Sequence, residues 1–105
     1  MTQFVSPNTP AGQYFTVAAS QTSQVLGAVG ATGDYLKGII VVAATTTPGL
    51  VTVKDGTTAV ISIPAGTATV LPYVTYVPVG AYSKTGAWNI TTGASVSVFA
   101  VGQFT

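Results

Sequence analysis

The stretch from Tyr35 to Pro64, YLKGIIVVAATTTPGLVTVKDGTTAVISIP, leaves little freedom of architecture. Ile39, Ile40, Val41 and Val42 are four consecutive β-branched residues. Such side chains are stiff at χ1 and suit a pleated ribbon. An unbroken apolar run predicts a strand covered on both faces, with Ile40 in the core. Thr47-Pro48-Gly49 then turns the chain, because Pro presets φ and Gly tolerates positive φ. Val51 and Val53 alternate with Thr52 and Lys54, the period of a half-buried strand. Lys54-Asp55-Gly56-Thr57 reads as a tight hairpin, since Asp-Gly suits a type I′ turn. Val60, Ile61 and Ile63 form the return strand. In this reading Asp55 only turns the chain, so Asp55→Asn is expected to be nearly neutral.

The same grammar runs through the rest of the chain. Tyr14, Phe15 and Val17 open a strand, and Val25 and Leu26 close a second. Gly27, Gly30 and Gly33 recur every third residue, but the spacing fits neither the dinucleotide fingerprint nor the P-loop. They read as a loop between strands. Thr69 to Val79 alternates Val70, Val74 and Tyr76 against Leu71, Tyr73, Val77 and Val79. Pro72 and Pro78 lack the N–H a ladder needs, which places that strand at a sheet edge or bends it. Ala87 to Thr92 is a short strand. Ser95 to Phe104 is the last, apolar on both faces in its second half and therefore central.

Turn signals recur about every eight to twelve residues, with no helical period, as in a sandwich or barrel. The expectation is an all-β, antiparallel β-sandwich of jelly-roll type with seven or eight strands. Trp88, Phe99, Phe15 and Tyr35 are its expected aromatic core. Residues 13–105 read as one sandwich domain. Residues 1–12, MTQFVSPNTPAG, read as an extended N-terminal arm without a core of its own. Phe4, Val5, Pro7 and Pro10 are its candidate partner-docking residues, and the plainer alternative is a terminus tied to nothing.

Composition narrows the function. Charged residues are 5% of the chain, against about 25% in an ordinary domain. There is no His, Cys, Glu or Arg, and the net charge is +1. A Ser-His-Asp or Cys-His arrangement cannot be built, nor a His or Cys metal site. The two carboxylates, Asp34 and Asp55, are explained by a loop and a turn, and two Asp make a poor calcium site. Asp34 and Lys37, three apart on a strand, fall on opposite faces and do not make a pair. No catalytic, cofactor or metal residue is expected, and the chain reads as non-enzymatic. No basic patch suits nucleic acid, and no apolar run reaches the ~20 residues of a spanning helix. The first residues carry neither a basic nor an apolar leader pattern, so no secretory signal is expected. A neutral Thr, Ser, Gln and Asn surface reads as one covered in part by other subunits. Asn89-Ile90-Thr91 matches a glycosylation sequon, and the five tyrosines with Trp88 could form a saccharide platform or, more simply, core and interface.

Three segments carry a resemblance: QTSQVLGAVGATGDYLKGIIVV (Gln21 to Val42), GAWNITTGASVSV (Gly86 to Val98) and AVGQFT (Ala100 to Thr105). Together they resemble small, Cys-free structural proteins of tailed bacteriophages, over the chain from Gln21 onward. The matching motifs are turns and core strands, which specify a fold more than an activity. The resemblance implies a capsid decoration (cement) protein of the phage head, made in the host cytoplasm. It would bind the major capsid protein and itself, with a trimer matching three-fold capsid sites. It implies no cofactor, nucleic acid or membrane. The alternative is a tail fibre or baseplate module that binds host glycans. No residue matches a capsid-contact motif, so no contacts carry over.

Overall fold

The computed structural model describes residues 13–45, 47–65 and 74–105. They form eight strands and, among the described residues, no helix: β1 (Gln13–Val17), β2 (Gln24–Val25), β3 (Tyr35–Ala43), β4 (Val51–Asp55), β5 (Thr58–Ile63), β6 (Val74–Tyr82), β7 (Trp88–Thr92) and β8 (Val96–Gln103). They pair antiparallel into two four-stranded sheets, ordered β1-β8-β3-β6 and β2-β7-β4-β5. One core cluster joins Val17, Leu36, Ile39, Val41, Val98 and Ala100 of the first sheet's layer to Val51, Val53, Trp88 and Ile90 of the second. The expected antiparallel β-sandwich is therefore present.

The period-2 pattern decides which side chains reach this core. In β8, Val96, Val98, Ala100 and Gly102 are buried, while Ser97, Phe99, Val101 and Gln103 alternate outward. In β6, Val77 and Val79 pack inward, while Val74, Tyr76 and Pro78 are exposed. Pro78 is tolerated because β6 is an edge strand, as expected, where a missing N–H breaks no second ladder. Pro72 and the arm residues Phe4, Val5, Pro7 and Pro10 lie outside the described residues.

β3 corrects the reading of its own apolar run. It is central, between β8 and β6, but it is not covered on both faces. Ile39 and Val41 are buried, Ile40 is half-buried and Val42 is exposed. The run is apolar at both parities because both faces of its sheet are apolar, though the protein's own second sheet covers only one. The aromatic core is corrected for the same reason. Trp88 is fully buried and Phe15 packs against the core, but Phe99 points outward and Tyr35 leans on Tyr82 at a ring separation of 5.1 Å.

The β4–β5 hairpin forms where expected, with Asp55 opposite Thr58 and Gly56 at φ +61°. Thr57 keeps a negative φ, so the signs match a II′ turn rather than I′. Val60 is the extra residue where the register shifts after Val53.

Candidate functional site

The two carboxylates are structural anchors. Asp55 is buried, and its oxygens accept from the Lys84 N–H at 2.9 and 3.1 Å and from the Thr85 N–H at 3.1 Å. Burial pushes the Asp55 carboxyl up. The donors from Lys84, Thr85 and Gly86 outweigh this and hold it below the ordinary carboxylate range. The hairpin-only role of Asp55 is thus corrected: its side chain fixes the β6–β7 connection. Asp34 is buried too. Its carboxylate accepts from the N–H and hydroxyl of Thr105, and its carbonyl accepts from Trp88 Nε1 at 2.9 Å and from the Ser83 N–H. The Asp55 carboxylate and the Asp34 main-chain carbonyl therefore both hold the segment from Ser83 to Trp88, while the Asp34 carboxylate holds Thr105.

The other buried polar side chains do similar work. Thr92 donates to the Ala18 carbonyl at 2.6 Å and accepts from the Gln21 N–H at 3.0 Å, which ties down the β1–β2 connection. Asn89 donates to the carbonyls of Gly56 and Ala87. It is buried in β7, so the sequon nitrogen is engaged in structure.

What remains exposed and unusual is the outer face of the sheet β1-β8-β3-β6. One cross-strand row reads Thr16, Phe99, Ile40, Tyr76, and the next reads Ser97, Val42, Val74. Tyr14 stacks flat on Phe99, with centroids 4.9 Å apart and planes 9° apart. Tyr76 lies over Gly38, whose missing side chain makes the room: a Cβ there would sit 2.5 Å from the Tyr76 hydroxyl. Tyr14 is 65% exposed, Val74 60%, Tyr76 50% and Val42 36%. Between Phe99 and Val42, over the small Ser97 and Ala18, lies a shallow depression of about 310 Å³. β1, β6 and β8 carry no charged residue, and Lys37 stands at the Tyr35 end of the face.

Sequence reasoning placed Phe99 and Ile40 in the core and so missed this face. The signal was present: these strands are apolar at both parities, whereas β4 alternates Val51 and Val53 with Thr52 and Lys54. Of the proposed aromatic platform, Trp88 is buried, Tyr14 and Tyr76 share the face, and Tyr35 and Tyr82 pair at one end. Comparisons with family models, curated proteins and solved structures find no match to this chain.

Proposed function

We propose that this protein is a non-enzymatic structural component of a tailed-phage particle, a decoration protein that binds the major capsid protein and further copies of itself on the head. The observation that carries the structural part is the uncharged, aromatic outer face of one sheet. Interfaces are depleted of charge and enriched in Tyr and Phe at their centres. The two acids support the non-enzymatic part: both carboxylates are occupied by backbone and hydroxyl donors, and no His or Cys is present. The phage assignment rests on the resemblance over Gln21 to Thr105.

We infer that the sandwich is a jelly roll. β1 pairs with β8, β2 with β7, β3 with β6 and β4 with β5. This pairing supports a jelly roll, in which a ribbon is doubled on itself and rolled into two sheets of eight strands in all. The plan serves capsid and lectin domains alike, so it does not choose between a head protein and a glycan-binding tail module. A density map of the intact particle chooses. Many symmetric copies on the head support the decoration role. A few copies on the tail, with saccharide binding by the purified chain, replace it with the tail reading.

A further inference from the structure

We propose that the outer face of β1-β8-β3-β6 is an interface between copies of this chain. The occupant follows from charge, from size and from what the chain itself offers. The centre of the face carries no charge, so two copies meet without repulsion and without stranding an ion in an apolar contact. Lys37 is confined to one end, where it stays at the rim of a contact.

Size points the same way. Four strands about 4.8 Å apart and some seven residues long present about 450 Å² in projection. Two such faces together come to about 900 Å² in projection, which falls among the weak, transient contacts below about 1,200 Å² of total area. This is the scale of a reversible contact that deepens with concentration. Residues 1–12 do not match the face as its sole cover. One extended segment is about one strand spacing wide, and the face is four strands wide. Its large apolar groups are Met1, Phe4 and Val5. The depression between Phe99 and Val42 gives a partner side chain somewhere to insert, and Tyr14 and Tyr76 are the aromatic anchors typical of such centres.

This inference deepens the self-association named in the proposed function, and it stands whether or not the particle is a phage head. The test uses the full 10.5 kDa chain in light scattering and sedimentation across a hundredfold concentration range. Tyr76→Lys and Val74→Lys each place a charge on the face. Thr52→Lys places one on the opposite sheet, and circular dichroism confirms that each variant is folded. Two face variants are used so that one misfolding does not void the test. The expected result is a wild-type dimer, about tenfold or more weaker association for both face variants, and no change for Thr52→Lys. Three results overturn the proposal. One is a wild-type monomer at every concentration. Another is oligomers that survive both face charges. The last is association lost on deleting residues 1–12 but kept by the face variants. Capsid binding is scored separately, by sedimenting the chain with undecorated heads. A chain that oligomerises through this face without binding heads refutes only the decoration role.

Discussion

The two outer faces of this sandwich are built from the same kind of strand and end in opposite chemistry. On β2-β7-β4-β5 the outward rows are Thr52 with Thr91 and Ser62, and Lys54 with Asn89 and Ala59. On β1-β8-β3-β6 they are Phe99, Ile40 and Tyr76, and Ser97, Val42 and Val74. The first face presents Thr, Ser and Lys side chains, with Thr91 accepting from the Ser23 N–H and the buried Asn89 donating to the Gly56 and Ala87 carbonyls. The second leaves large apolar groups uncovered, a state that monomeric proteins keep to small patches. Apolar residues at both parities of a strand mark two apolar faces, and here the second sheet covers only one of them.

The comparison is sharpest on β3, where neighbouring residues point to the two sides. Ile39→Ala should cost about 2–5 kcal/mol, since Ile39 is fully buried in the sandwich. Ile40→Ala should cost under about 1.5 kcal/mol in dilute protein and more as the concentration rises, because association buries the half-buried Ile40. Thermal denaturation at two concentrations checks both. Equal costs at low concentration would mean that the two sides of β3 are not distinct.

Asp55→Asn comes next, at about 1.5–3 kcal/mol for charge-assisted bonds to the buried carboxylate. The folded Asp55 carboxyl titrates below its unfolded value, near 3.9. Its contribution is therefore full above that pH and is lost as the pH falls through the lowered folded value. Urea titrations from neutral to acid pH should show the wild-type advantage over Asp55→Asn shrinking in that window.

Gly38→Ala should cost about 1 kcal/mol, because the new Cβ must displace the end of the Tyr76 ring. Self-association should weaken as well, since the ring is an anchor of the apolar face. The smallest effect belongs to the polar face. Thr52→Ala should stay within about 0.5 kcal/mol and leave the oligomer mass unchanged. A larger loss would make that face more than a solvated one.

Much of the fold was legible. Alternation in β4 and β-rich runs bounded by turn residues at β6 and β8 marked the strands, Pro78 marked an edge, and Asp-Gly marked the hairpin. The misplaced residues share one physical cause. Phe99, Ile40 and Tyr35 are as apolar as core residues, and local pattern cannot tell a core from a bare sheet face. Asp55 was misread because its partners, Lys84 and Thr85, lie about thirty residues away and meet it only through the fold. Asp34 was similarly hidden, since Trp88 and Thr105 reach it from distant strands and loops.

The chain has no cysteine, so a single introduced thiol reports on one site alone. Val74→Cys on the edge strand β6 and Ser62→Cys on the edge strand β5 are both exposed positions, one on each sheet. Maleimide labelling rates measured from dilute to concentrated protein report whether copies cover the outer face of β1-β8-β3-β6. The Val74→Cys rate should fall about tenfold as copies cover its face, while the Ser62→Cys rate stays constant. Rates that remain equal and independent of concentration would contradict it.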